Sequence, residues 1–335
     1  MARLRISRGL VPYLLLVPGM AWLFVFYIYP AAQMFLVSLE TGNLSTGYQL
    51  AFNWGIYRQG FEQYLPWIVR SAEYGGLATL FAFVLGYPLA YTIAFKGGQY
   101  KNVLLFLVIA PFFTSFLLRT LSWKIIFADS GILLGPLKAA GILPDDFRLL
   151  ATPAAVVAGI TYNFLPFMTL PLYVALEKVD VRLVDAARDL YAGPYRPQGA
   201  IFGGVIGAVL VGAVLAILGV DPVVPAIVGA VVGAVIGHFL ISEAFVRVVL
   251  PLSLPGIFAG SLLTFIPAVG DFVNAELLGD PSSQMIGNVI QSRFLQITDY
   301  PMASALSFIL MAAILIGVLV YARLLGTEEL TGAAV

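Results

Sequence analysis

The sequence is poor in charge, in histidine and in sulfur nucleophiles. Only 11% of its 335 residues are Asp, Glu, Lys or Arg and 60% are apolar, against about 25% charged in an average soluble domain. A water-soluble fold has no interior large enough to hide so much apolar surface, so the medium is a bilayer. There is no cysteine, which excludes disulfides, thiolate nucleophiles and most zinc sites. The single histidine, His238, leaves no pair to hold a catalytic metal, and no metal site is expected. Basic and acidic residues balance at 18 each, leaving no basic field for nucleic acid. The phosphate loop G-x-x-x-x-G-K-[ST] is missing, because none of the five lysines follows a glycine. G-x-S-x-G and H-E-x-x-H are missing too. The chain is expected to be no enzyme and to bind no cofactor of its own.

What is present is a series of long apolar runs. A spanning helix needs about 20 mostly apolar residues, since a rise of about 1.5 Å per residue must cross about 30 Å of hydrocarbon. Eight charge-free runs qualify: residues 9–39, 74–95, 102–118, 149–176, 197–220, 222–242, 248–270 and 300–322. Another, 41–57, is rich in Thr, Asn, Gly and Gln and reads as a loop. The first run is too long for the apolar core of a signal peptide and reads as an anchor. With the N-terminus in the cytoplasm, 11 of the 18 basic residues fall inside, among them Arg3, Arg5, Arg8, Arg182, Arg188, Arg196 and Arg247. The positive-inside bias therefore expects both termini in the cytoplasm. Ten carboxylates against seven basic residues then face outward, which suits a cationic solute or simply reflects outer loops that lack the bias.

The fifth and sixth runs carry small residues every four positions: Gly204, Ala208, Gly212 and Ala216, then Gly229, Gly233 and Gly237. Such stripes let two backbones approach closely, so residues 197–243 read as a tight transmembrane hairpin turning at Asp221. His238 reads as a snorkelling boundary residue.

The longest cytoplasmic segment contains Asp185, Ala186, Ala187, Arg188, Asp189 and Leu190. It resembles the E-A-A loop of ABC importer permeases, E-A-A-x3-G-x9-I-x-L-P, with Asp185, Ala186 and Ala187 at the E-A-A positions. Val248, Leu250 and Pro251 resemble its I-x-L-P end, preceded by Arg247. Two departures stand out. The family's Gly falls on Tyr191, and the Ile expected at position 201 is matched by a Val at 248, 47 residues later. The excess coincides with the fifth and sixth runs. Further stretches resemble the polyamine (spermidine/putrescine) branch: PFFTSFLLRTLSW at 111–123, YNFLPFMTLPLY at 162–173, LPLSLPGIFAG at 250–260, FIPAVGDFV at 265–273, ELLG at 276–279 and MIGN at 285–288.

The resemblance implies an all-α membrane protein, a six-helix permease core plus an inserted two-helix hairpin, eight spans in all. Residues 1–196 would hold spans one to four and the first half of the loop, 197–243 the hairpin, and 244–335 the second half of the loop and the last two core spans. It implies a permease subunit of an ATP-driven polyamine importer in a prokaryotic cell membrane, working by alternating access. The partners implied are an ABC ATPase dimer that carries the ATP and Mg, a second permease subunit and an extracytoplasmic solute-binding protein. The competing reading is an ATP-independent carrier or scaffold whose interrupted loop no longer couples.

A pore for a polycation should offer carboxylates and aromatic faces. Asp271, Phe272 and Glu276 follow the seventh run and read either as such ligands or as solvated boundary groups. Glu73 opens the second run and reads as a path residue or as the partner of Arg70. Tyr162 and Asn163 sit deep in the fourth run, lining the path or bonding between helices. Pro166 and Pro171 beside them suggest a broken helix. Arg119 and Trp123, one turn apart, read as an interfacial anchor.

Overall fold

The computed structural model describes residues 11–141, 143–190, 197–217, 226–227, 229–234 and 243–325. A bilayer offers nothing to bond backbone N–H and C=O groups, so apolar runs close their hydrogen bonds within helices. Four helical stretches are long and apolar enough to cross: Leu15–Ser38, Gly55–Lys96, Pro153–Glu177 and Tyr300–Arg323. Two bent pairs, Gly98–Phe113 with Phe116–Ile126 at 95° and Phe245–Leu252 with Leu254–Val269 at 58°, are together as long and apolar. Counting each bent pair as one span gives six among the described residues, and much of the expected fifth and sixth spans lies outside them.

In chain order the elements are α1 (Val11–Leu23), α2 (Tyr29–Ser38), β1 (Glu40–Asn43), β2 (Gly47–Leu50), α3 (Gly55–Tyr91), α4 (Lys101–Ile109), α5 (Phe116–Ile126) and α6 (Leu134–Ala139). They continue with α7 (Pro153–Glu177), α8 (Val181–Leu190), α9 (Pro197–Ile217), a π-helical turn at Phe245–Val249, α10 (Leu254–Val269), α11 (Val273–Leu278), α12 (Ile286–Leu295) and α13 (Tyr300–Leu325).

Two expectations change here. Residues 41–57 are not a loop throughout. β1 and β2 pair antiparallel from Glu40 with Leu50 to Asn43 with Gly47, and Asn43 Oδ1 accepts from the backbone N–H groups of Ser45 (2.9 Å) and Thr46 (3.0 Å) to close the turn. Gly47 completes it at φ +78°, a conformation glycine adopts without steric cost. The prolines do not break the fourth span either, for α7 runs unbroken through Pro166 and Pro171. Each proline only denies a hydrogen bond to the carbonyl one turn back. The real break in the membrane region falls at Thr114 and Ser115, inside a charge-free run.

The chain packs as two compact units. One holds the described residues up to Leu65 together with Val289–Ala313. In it Tyr48 donates to the Thr298 carbonyl, Ser38 bonds Tyr57 at 2.6 Å, and Arg293 pairs with Asp299 at 3.2 Å. The other runs from Pro66 to Asn288 and resumes at Ile314. Its core joins Tyr87, Ala90 and Ile93 of α3 to Leu172 and Leu176 of α7 and to Val179, Val184 and Val249.

α9 lies against described residues of the sixth run. A methyl at Gly204 would stand 3.2 Å from the Ala230 carbonyl oxygen, one at Gly212 3.3 Å from Ala226 Cβ, and Gly207 is closer still to Gly229. The expected tip at Asp221, His238, residues 191–196, the N-terminal arginines and the side chain of Arg188 lie outside the described residues.

Candidate functional site

α7 begins where Thr152 Oγ1 accepts from the Ala155 N–H at 3.3 Å, with Pro153 in the first turn, the usual chemistry of a helix start. α10 packs along it through two glycines. A methyl at Gly256 would meet the Pro171 carbonyl oxygen at 2.8 Å, and one at Gly260 would meet Met168 Sδ at 2.9 Å. Past Val269 the chain turns, and α11 lies against the first half of α7. The Ala151 N–H donates to the Leu278 carbonyl at 2.8 Å, and a methyl on Gly159 would stand 2.6 Å from Asn274 Oδ1.

This placement buries a polar chain. Asp271 is only 6% exposed, so it is not a solvated boundary charge. Its Oδ1 accepts from the backbone N–H groups of Val273 (2.9 Å) and Asn274 (3.1 Å), and its Oδ2 accepts from Asn274 Nδ2. Asn274 Oδ1 in turn accepts from Asn163 Nδ2 at 3.2 Å and lies 3.3 Å from the Thr120 hydroxyl, which also accepts from Asn163 Nδ2 at 3.2 Å. Asn163 is 1% exposed, and among the described residues its Oδ1 has no partner. The Thr264 hydroxyl on α10 is likewise buried without a partner among them. Burial pushes the Asp271 carboxyl above its ordinary value, opposed by the donated bonds of Asn274 and Val273. Asp280 moves the other way, chiefly through the hydroxyl of Ser283.

Of the expected path residues, Asn163 and Asp271 are therefore joined, through Asn274. Glu276 and Phe272 are joined through Asn288, whose Nδ2 donates to Glu276 Oε2 at 3.1 Å and to the Phe272 carbonyl at 2.9 Å. Tyr162 faces elsewhere: its ring stands edge-on to Trp123 at 5.1 Å, in the wall of an apolar cavity of about 720 Å³ with Phe81, Phe127 and Leu210. Glu73 is exposed, and Arg70 donates instead to the Gln284 carbonyl at 2.9 Å. Arg119, expected as an interfacial anchor, is half-buried: its Nε and Nη1 have no acceptor among the described residues, and its guanidinium lies over Phe112 and Phe116 at 5.4 and 5.7 Å. Thr120, Thr264, Asn274 and Asn288 were not singled out from sequence. The only signal they gave was a polar residue in or beside an apolar run.

The E-A-A-like segment forms α8 after Asp180 Oδ1 accepts from the Arg182 N–H at 2.9 Å. The helix buries Val184 and Ala187, one turn apart, and exposes Asp185, Ala186, Asp189 and Leu190. Leu183 and Leu190 are 53% and 76% exposed, an apolar surface unusual on a charged helix. Beyond α9 in sequence, Val249 enters the same core as Val184. Glu243, 4% exposed, pairs with Arg247 at 3.0 Å. Leu250 packs against the core and Pro251 is exposed. Phe245 stands edge-on to Tyr87 at 5.5 Å, Tyr91 at 5.9 Å and Phe202 of α9 at 6.1 Å. The bend that follows is fixed by Tyr87 and Ser253, whose hydroxyls lie 2.8 Å apart.

Comparison with known proteins agrees with this arrangement. Residues 242–326 match the family described as binding-protein-dependent transport system inner membrane component. The spermidine/putrescine transport system permease protein PotB of Haemophilus influenzae is 34% identical over 304 residues, 90% of each chain. Its namesake in Escherichia coli K12 is 31% identical over 310 residues, 92% of this chain and 96% of that one. Among solved structures, a bacterial ABC transporter involved in the import of the acidic polysaccharide alginate superposes with a TM-score of 0.67 at 16% identity, covering 97% of this chain and 98% of that one. That likeness concerns the fold alone. The identity to PotB along nine-tenths of both chains carries the assignment, and this multi-pass membrane protein belongs to the inner-membrane permease family of binding-protein-dependent ABC importers.

Proposed function

We propose that this permease imports polyamines such as spermidine and putrescine, by alternating access driven by a separate ATPase. The substrate class is supported by the two PotB relatives, similar along nearly their whole length. The coupling is supported above all by one observation, the joint burial of Val184 and Val249. An insertion that uncoupled the loop would leave its halves apart, so nothing favours the carrier or scaffold reading.

In this reading the exposed face of α8, with Asp185, Ala186, Asp189 and Leu190, docks on an ABC ATPase dimer that holds ATP and Mg. Ala187 ties the helix to the core, and Arg247, Leu250 and Pro251 carry the motion into α10. Arg188 belongs to the same helix. We keep residues 197–243, part of which lies outside the described residues, as an inserted hairpin, which would leave both termini in the cytoplasm of a prokaryotic cell. A second permease subunit completes the pathway, since one half-transporter encloses none, and a solute-binding protein delivers the cation from outside. Along the path we place Asn163 and Asp271, then Phe272 and Glu276, with Glu73 and Tyr162 as flanking groups.

The test is purification of the tagged full-length chain in mild detergent, then ATP-driven spermidine uptake in vesicles. Recovery of an ATPase and a second permease, uptake by the wild type and its loss in Asp185→Arg are expected. Uptake unchanged in Asp185→Arg would overturn the coupling role, and absence of polyamine uptake by an intact complex would overturn the substrate.

A further inference from the structure

The buried chain from Asp271 to Asn163 has a direction. An ionised carboxylate only accepts hydrogen bonds, so Asn274 must turn its Nδ2 toward Asp271, as observed. That leaves Asn274 Oδ1 facing Asn163, which must answer with Nδ2, again as observed at 3.2 Å. The Asn163 amide is then fixed with its oxygen turned away from Asn274, and that oxygen has no donor among the described residues. Two amides thus pass on the acceptor character of the carboxylate, and hydrogen bonds in such a chain polarise one another.

A second unsatisfied group lies on the helix packed against α7. Gly256 rests on Pro171 and Ala175, and Gly260 one turn on rests on Met168. Thr264 follows one turn further along α10. Its hydroxyl has no partner among the described residues, although the residue is fully buried. Within the same turn of α7 as Asn163, Pro166 has no N–H to give the Tyr162 carbonyl. Buried polar groups in a membrane protein are normally satisfied. Here the acceptor oxygen of Asn163 stands about 15 Å along α7 from Pro153, about half the thickness of a hydrocarbon layer.

We infer that Asn163 Oδ1, with the Thr264 hydroxyl, is an acceptor point for an ammonium group of the passing substrate, and that Asp271 and Asn274 are positioning residues that set its polarity. The inference rests on the polyamine reading and names the atoms that would meet the amine.

The polarity makes the inference testable with isosteric changes. In Asp271→Asn the new amide keeps its oxygen on the N–H groups of Val273 and Asn274 and presents Nδ2 to Asn274. Both Asn274 and Asn163 then turn over, every bond in the chain is kept, and Asn163 presents N–H where it presented oxygen. The double variant Asp271→Asn with Asn274→Asp restores the original direction, because the carboxylate introduced at position 274 accepts from both neighbours. The measurement is spermidine taken up per ATP hydrolysed by the complete importer in proteoliposomes, with the thermal midpoint of each purified variant alongside. We expect Asp271→Asn to lower that ratio about tenfold, the scale of one hydrogen bond to a charged group, with its midpoint held. The double variant should recover. Wild-type coupling in Asp271→Asn, or no recovery in the double variant, overturns the inference. So does a thermal midpoint that falls in step with uptake, which would make the chain a structural brace. No spermidine uptake by the wild type would remove the polyamine reading itself.

Discussion

Val184 of α8 and Val249 of the π-helical turn bury their side chains in one core, at 4% and 1% exposure, although the whole of α9 lies between them in sequence. The two halves of the E-A-A-like segment therefore meet in one core. α8 is strongly amphipathic, and the residues that hold it down, Val184 and Ala187, alternate with those that face outward.

Val184→Ala follows from that contact. Removing two buried methyl groups costs about 2 kcal/mol when transfer and cavity terms are combined. The loss falls on the docking of α8 rather than on the spans. We expect faster hydrogen exchange across Val181–Leu190 and a weaker stimulation of ATP hydrolysis by loaded binding protein, with the helicity of the chain unchanged. Equal protection of α8 in both proteins would show that Val184 does not hold it.

The spans of α7 and α13 were readable from sequence because an apolar run of membrane length has few alternatives. α8 was readable because its motif and its periodicity agree. The break at Thr114 and Ser115 was not, since the apolar run continues through it and only packing tells the chain to turn. Pro166 and Pro171 misled in the opposite direction, because a membrane helix absorbs a proline when neighbours cover the freed carbonyl. For Asp271 the sequence left a ligand and a solvated boundary group equally open, because it shows the distance from the span but not that α11 folds back against Gly159. The partnership of Thr120, Asn163 and Asn274 joins three distant segments, and no local pattern encodes it.

Gly260→Val tests the contact that sets the height of Thr264. The new Cβ would stand 2.9 Å from Met168 Sδ and 3.0 Å from the Met168 carbonyl oxygen, and the backbone atom does not yield. Overpacking of this kind costs about 1–3 kcal/mol. In lipid the close approach of backbones itself drives helix association, so α7 and α10 should separate. A lower yield of monodisperse protein and a lower thermal midpoint are expected, and a variant as stable as the wild type would mean that the two helices slide past each other freely.

Asp280 and Asp271 predict opposite pH dependence. The folded pKa of Asp280 lies below its ordinary value, through the Ser283 hydroxyl first. Its contribution is complete above the ordinary carboxylate pKa of about 3.9 and is lost as pH falls below it. The folded pKa of Asp271 lies above its ordinary value through burial. The folded state then holds the extra proton, and stability falls as pH rises from the ordinary value through the raised one. Thermal midpoints of Asp280→Asn should decline less than those of the wild type on acidification, while those of Asp271→Asn should lose the decline on the alkaline side of the ordinary value. The same slope in all three proteins would separate these carboxyls from folding.

Phe202 tests what the insertion does. Its ring meets Phe245 at 6.1 Å, with the planes inclined at 61°, and Phe245 also meets Tyr87 and Tyr91. α9 thus touches the segment that must move if α8 is to drive α10. An aromatic pair of this geometry contributes about 0.5–1.5 kcal/mol beyond its buried area. That is a small share of the stability of the fold but a large share of the restraint on one five-residue turn. Phe202→Ala should therefore leave the thermal midpoint nearly unchanged and raise hydrogen exchange at Phe245–Val249. If the hairpin restrains the coupling segment, ATP hydrolysis in the absence of loaded binding protein should rise by several-fold, the factor that about 1 kcal/mol sets. A lipid-facing accessory predicts instead no change in exchange or in idle hydrolysis. Phe202→Leu, which fills the space without a ring, should fall between the two, because it keeps the contact and removes the edge-to-face term.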